Sequence, residues 1–366
     1  MKRVLLFLAA ALPLALFAAD GRAQGKVVNV YNWTDYIAED ATRTFQQATG
    51  IKANYTTYDT NEILDAKLKT GKSGYDVVTP TMSPHFARQK ASGLFQKLDK
   101  AQLKNYGNLD PEIMKALAKY DPGNEYGVPW MWGTTGIGYN VEAVKERLGD
   151  APVDSLKLVF DPATVAKFKD CGVMMLDSPT DVLPAALLWL GLDPDSKKPE
   201  DLEKAADVVR KVRPSIRKFT SAAMINALAN GNICLAFTFS GDVLQARDRG
   251  AKAKPKAVDV NYAIPREGSQ LWIDVMAIPK DARNVAEAHR WIDYLLEPRI
   301  AAASSDTVGY ASGNKAAVPL MKKEVSGDPL VYPPQEVRAK FFTISPGDQE
   351  HVRLRTRLWT NIKTGR

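Results

Sequence analysis

"KVVNVYNWTDYIAEDATRTFQQATGIKANYTTYDTNEILDAKLKTGKSGYDVVTPT", residues 26–81, decides the fold class. Three strand-like runs, at 27–33, 51–58 and 75–81, alternate with two helical stretches at 39–49 and 61–71. Gly50 follows the first helical stretch and Gly71 closes the second, as helix stop signals do. The order strand, helix, strand, helix, strand implies a parallel sheet covered by helices. In such sheets ligands gather where strands end and loops begin. That rule singles out Trp33, Thr34, Asp35 and Tyr36 after the first strand, and Thr81, Met82 and Ser83 after the third.

A second α/β unit lies further along the chain. The Gly- and aromatic-rich segment YGVPWMWGTTGIGYN (126–140) has extended character and reads as a strand crossing between two lobes. CGVMMLDSP (171–179) and CLAFTFSGD (234–242) read as strands with polar exits, and DVLPAALLWLG (181–191) as a strongly apolar helix. NYAIPREG and QLWIDVMAIP come next, then a helix over 285–298, then YPPQEVRAKFF and a basic, helix-like end. The 366 residues suit about two domains of roughly 100–200 residues each.

The first 23 residues read separately. Lys2 and Arg3 precede an apolar stretch over 4–19, and Gly21-Arg22-Ala23 offers a small-x-Ala cleavage site. This is the pattern of a secretory signal peptide. No cysteine follows it to carry a lipid, and no later apolar run reaches the roughly 18 residues of a membrane span. A soluble exported chain without membrane insertion is expected. Removing the leader lowers the formal charge from +7 to +5, spread without blocks of like charge, so no nucleic-acid partner is expected. An even pair of cysteines in an oxidising compartment favours one Cys171–Cys234 disulfide, with two buried thiols as the alternative. Two cysteines and the scattered His85, His289 and His351 make a poor ligand set, so neither a metal nor a cofactor is expected.

QLWIDVMAIP (270–279) would be a plain buried strand but for Asp274. An ionised carboxylate among apolar side chains is costly unless a cation or several donors meet it. The run contains no Lys or Arg, so the partner must come from elsewhere in the fold or from a ligand. Other strand exits repeat the pairing of carboxylate with aromatic: Trp33-Thr34-Asp35-Tyr36, and Phe239-Ser240-Gly241-Asp242. Asp181 opens a helix, and Tyr310 lies in GYASGNKAA. Carboxylates and ring faces together suit an organic ammonium group, through charge-assisted hydrogen bonds and cation–π attraction. Ordinary explanations stand beside this one: Asp181 as a helix N-cap, Asp242 as a turn residue, Asp35 as a solvated loop acid, Trp33 and Tyr310 as core aromatics. Enzyme signatures are poor. SIRK (215–218), SDT (305–307) and KTG (69–71 and 363–365) imitate a penicillin-recognising serine hydrolase, but no apolar helical face surrounds the serine. An enzyme is therefore not expected.

Taken together, VYNWTDYIAED, YGVPWMWGTTGIGYN, FSGDVLQARDRG, WIDVMAIPKDA and YASGNKAAVPLM resemble the periplasmic polyamine-binding proteins of ABC importers, most of all their putrescine-binding branch. The resemblance spans essentially the whole chain after the leader. It implies a type II, two-lobed periplasmic solute-binding fold, each lobe a mainly parallel sheet flanked by helices, with hinge strands between them. Lobe 1 would comprise 26–131 and 260–312, and lobe 2 would comprise 132–259 and 313–366. It further implies a monomer that captures putrescine or a related polyamine and delivers it to an inner-membrane permease. A spermidine- or agmatine-preferring receptor, or a polyamine sensor, would have the same outline. The family's ligand shell falls on Trp33, Thr34, Asp35, Tyr36, Thr81, Asp181, Phe239, Asp242, Trp272, Asp274 and Tyr310. By that layout Asp274 and Asp242 would jointly hold one ammonium, while Thr34, Thr81, Asp181 and Asp35 would serve the distal amine. Thr34 and Thr81 stand where serines are usual, Asp181 where a Glu is, Phe239 for Trp and Trp272 for Phe. Asp242 is a putrescine-type feature, and Trp272 is nearer the spermidine binders.

Overall fold

The structure is a computed structural model that describes residues 26–365; the expected leader lies outside them. Its strands are β1 Val27–Trp33, β2 Lys52–Tyr58, β3 Val77–Val78, β4 Gly127–Asn140, β5 Val173–Met175, β6 Ile216–Phe219, β7 Leu235–Phe239, β8 Val260–Ala263, β9 Ser269–Ala277, β10 Ala311–Ser312 and β11 Phe341–Phe342. They join in the order β2-β1-β3-β9-β4-β7-β5-β6, with β8 and β10 on β4, and β11 on β9. β1 pairs in parallel with β2 and β3, and β5 in parallel with β6 and β7. Each half thus carries the parallel set that the alternating sequence pattern requires. Between them β4 and β9 run antiparallel to each other and link the halves.

The opening segment folds as its pattern dictates, with shorter ends. The first helix is Ala41–Thr49, stopped where Gly50 takes the left-handed conformation (φ 72°). The second is Asn61–Lys69, started by the Thr60 side chain accepting the Ile63 N–H. The third strand is only Val77–Val78. Pro80 cannot donate to a ladder, and beyond it pairing survives only as an isolated bridge between Thr81 and Asp274.

Two lobes have separate cores. Phe45, Trp130, Met276 and Trp291 centre the first, with Phe86 and Val275 in an adjoining cluster. Phe160, Val173, Leu183, Val209 and Phe237 centre the second, joined by Leu358, Trp359 and Ile362 of the last helix, Gln349–Thr364. Packing shifts two of the expected boundaries. Residues 260–263 belong with lobe 2, because β8 pairs with the far half of β4 and buries Val260, Tyr262 and Ala263 in that core. In the other direction, Ala317, Met321 and Val331 pack into the lobe 1 clusters, so the chain stays with lobe 1 well past residue 313. Cys171 and Cys234 form a disulfide with a Cα–Cα distance of 5.7 Å. It staples the start of β5 to the start of β7, two neighbouring strands of lobe 2. Among the described residues no helix is long and apolar enough to cross a membrane.

Candidate functional site

A cavity of about 850 Å³, counted out to its mouth, lies between the lobes where the strands of both halves end. All eleven residues singled out from the sequence line it. Its wall carries six acids, Asp35, Asp59, Glu62, Asp181, Asp242 and Asp274, and among the described residues no lysine or arginine.

Asp274 reaches the cavity from the middle of β9 and is only 4% exposed. Tyr36 Oη donates to its Oδ2 at 2.7 Å, and Thr81 Oγ1 donates to its Oδ1 at 2.7 Å. Asn61 holds Thr81 in turn, its Nδ2 donating to Thr81 Oγ1 at 3.0 Å. Thr81 therefore holds the Asp274 carboxylate in place. The partners of Asp274 are neutral hydroxyls. Burial pushes its carboxyl up to about 7, with Asp181 adding to the shift and the two hydroxyls opposing it.

Asp242 arrives from lobe 2, inside the first turn of the helix Ser240–Gly250. Tyr310 Oη donates to its Oδ1 at 2.6 Å, and the Asp242 N–H donates back to Tyr310 Oη at 3.1 Å. This clasp needs the glycine beside it: a Cβ on Gly241 would stand 2.5 Å from the Tyr310 ring. Gly133 gives Trp272 the same freedom, since its Cβ would lie 2.6 Å from that indole. Enclosure pushes the Asp242 carboxyl up to about 7, with Asp35 reinforcing the shift and Tyr310 and Arg249 countering it. Between the two acids runs a ladder of edge-on rings. Tyr36 meets Tyr310 at 5.5 Å, Tyr310 meets Trp272 at 5.0 Å, and Trp272 meets Phe239 at 5.5 Å. Trp33 packs on Tyr58 at 4.7 Å, its indole N–H tied to Thr79 O.

Asp181 is buried but does not cap its helix. The helix is Pro179–Trp189, so Ser178 takes the N-cap place and Asp181 falls in the first turn. There its carboxylate accepts from Ser178 Oγ and, at 3.0 Å, from Thr135 Oγ1. Burial raises its pKa, with those hydroxyls and Arg355 pulling the other way. Asp35 and Thr34 are placed at the exposed rim. The Asp35 carboxylate pairs with Arg249 of lobe 2 at 3.1 Å, and Thr34 Oγ1 donates to Asp59 Oδ1 at 2.9 Å. Both are thus committed to protein partners at the mouth.

Several lining residues went unnoticed in the sequence: Tyr58, Asn61, His85, Ser178, Thr180 and Gln270. Gln270 had a signal, since it opens the strand that carries Asp274. Among the described residues its buried Oε1 has no hydrogen-bond donor. The serine-hydrolase imitation is not assembled. Ser215 sits in a turn leading into β6 of lobe 2, whereas Ser305 lies on the lobe 1 helix Pro298–Val308 with its hydroxyl given to Tyr310 O.

Two α/β lobes around an acid- and aromatic-lined cleft define a type II solute receptor. Residues 40–333 match the bacterial extracellular solute-binding proteins, and the chain belongs to that family. It is 48% identical over 345 residues to the putrescine-binding periplasmic protein SpuD of Pseudomonas aeruginosa, covering 94% of both chains. It is also 48% identical over 346 residues to the putrescine-binding periplasmic protein PotF of Escherichia coli, covering 94% of this chain and 93% of that one. Among solved structures it is similar to the spermidine/putrescine ABC transporter substrate-binding protein PotD of Streptococcus pneumoniae. That match has a TM-score of 0.72 and 29% identity, and covers 93% of this chain and 99% of the other.

Proposed function

We propose that this protein is an exported, periplasmic receptor that captures putrescine, or a closely related aliphatic polyamine, and passes it to an ABC permease without chemical turnover. The observation that carries the proposal is the charge of the cleft: six acids and an aromatic ladder, with no lysine or arginine on the wall among the described residues. A diammonium ligand supplies the counter-charge that Asp274 lacks within its own strand. One ammonium would sit among Asp274, Asp242 and the rings of Tyr36, Trp272 and Tyr310, where carboxylates and ring faces attract it together. The second would face Asp181, with the Gln270 carbonyl oxygen as a further acceptor. Asp35 and Thr34 would close the mouth and contact the ligand less directly.

Because Asp274 belongs to lobe 1 and Asp242 to lobe 2, the same arrangement gives a reason for closure. Without a cation, closing the lobes presses two acids into one enclosed space; a bound diammonium turns that repulsion into attraction. A ligand that favours the closed form in this way shifts the population toward it. The relatives' names support the ligand class, and that of the Streptococcus pneumoniae substrate-binding protein supports the transport role.

Calorimetric titration of ligand-stripped protein with putrescine, cadaverine, agmatine, spermidine and spermine tests this reading. Saturable one-to-one binding is expected, tightest for putrescine. Failure of all five to bind would remove the amine proposal.

A further inference from the structure

Behind the amine cleft, on the far side of the helix Pro179–Trp189, a second and much smaller cavity carries an unusual donor set. Arg355, on the last helix, is 4% exposed, yet among the described residues no acceptor receives a hydrogen bond from its guanidinium. It lines this cavity, and so does His351 one helical turn earlier. The Nδ1 of His351 is buried and likewise unpartnered. The acid on the wall, Asp195, is already occupied: its Oδ1 takes the Lys197 ammonium and the Ser345 N–H, and its Oδ2 takes the Ser345 hydroxyl. Ser196 gives its own hydroxyl to Asp201.

What remains free is therefore made of donors. Leaving buried polar groups unpaired is expensive, most of all a charged one. The other charges around Arg355 do not relieve it. Burial, with Arg88 adding to it, brings its pKa down to about 10, while Glu62, Asp195 and Asp181 pull the other way without bonding it. His351 is held down to about 4 by burial, Arg355 and Lys197, against Asp348 and Asp195, so near neutrality it is an uncharged ring. The rest of the wall, including Leu183, Leu187, Leu202 and Ile344, is apolar.

We infer that Arg355, His351 and the apolar wall around them form a binding site for a single halide-sized anion, chloride in practice, separate from the amine cleft. A compact, weakly hydrated monatomic anion fits the free donors and the apolar lining together. The neutral His351 ring donates its Nδ1–H, and Arg355 supplies the charge. Occupancy ties the last helix to the helix that presents Asp181. It also braces the segment around Ile344, whose carbonyl accepts from Ser83 Oγ of lobe 1.

The test uses the full exported chain without amine, melted in sodium chloride and in sodium gluconate at equal ionic strength. Chloride should raise the Tm saturably by about 2–4 °C, in the range expected for one ligand bound to the folded state only. Arg355→Met should abolish the difference between the two salts. Equal Tm values for the wild type in both salts would overturn the site, and so would an undiminished chloride effect in Arg355→Met. Should that variant not fold, bromide-soaked wild-type crystals decide. An anomalous peak against the Arg355 guanidinium supports the site, and its absence there overturns it.

Discussion

A carboxylate enclosed with only hydroxyl partners keeps its proton to higher pH than one in water, and that fixes the sign of two pH effects. Asp274 and Asp242 are both pushed to about 7, against about 3.9 for an unfolded Asp. The folded state therefore binds more protons than the unfolded chain between those values, and stability contributed by these groups is lost as pH rises through about 7. Ligand-free protein should accordingly lose Tm from pH 5 to pH 8, and Asp274→Asn should flatten that loss. Amine binding runs the other way. An ammonium needs both carboxylates ionised, so affinity for putrescine should weaken as pH falls below 7, with proton release on binding visible by calorimetry in two buffers. A flat affinity from pH 8 to pH 6 would sink this account. Asp274→Ala should cost roughly 30- to 4,000-fold in affinity, the common range for truncating one member of a buried charge pair. Asp242→Ser should cost less for spermidine than for putrescine, because a longer amine need not end against both acids. Equal losses in parallel titrations would refute that selectivity argument.

At the scale of elements, what the sequence showed and what it hid divide along physical lines. Alternating strands and helices were legible because periodicity is local, and the parallel set of each lobe followed from it. Ends were less legible. Pro80 cuts β3 to two residues, and Pro179 starts a helix early enough to make Asp181 a first-turn residue instead of its cap. The lobe limits were illegible for another reason: whether Val260 and Tyr262 join one core or the other depends on which half of β4 they pair with, a tertiary fact. In the cleft, residue types pointed to positions that line the cavity, but hydrogen-bond partners did not show. Nothing local says that Thr81 turns to Asp274 or Thr34 to Asp59. The disulfide was legible from count and compartment, and its place between β5 and β7 predicts its role. It closes a loop of 63 residues by sequence separation, so on the chain-entropy estimate it stabilises the fold by about 4 kcal/mol. Reduction, or Cys171→Ser with Cys234→Ser, should lower the Tm clearly while leaving the affinity for putrescine within about twofold, since neither cysteine lines the cleft. A large affinity loss with unchanged Tm would contradict that division.

The whole molecule joins its lobes through β4 and β9 and through a few side-chain contacts across the cleft. Tyr310 clasps Asp242, Arg249 pairs with Asp35, and Ser83 reaches Ile344. None of these is strong enough alone to hold the lobes shut. The Arg249–Asp35 pair is exposed at the rim, where such pairs contribute about 0–1 kcal/mol. Against them stands the cost of enclosing Asp274 and Asp242 without a cation. The balance between open and closed should therefore be close in the free protein and tip decisively when a diammonium arrives, because on the proposed reading the ligand would contact both lobes at once. Saturating putrescine should make the protein more compact in small-angle scattering. It should also raise the Tm, by an amount matching about 2.7 kcal/mol at 100 times the dissociation constant. Asp242→Ala separates the two effects: it removes the lobe 2 acid, so the free protein should already scatter as the compact form while binding putrescine more weakly. If Asp242→Ala instead scatters as the open form, or if the wild type saturates with no change in scattering, charge repulsion across the cleft is not what holds the lobes apart.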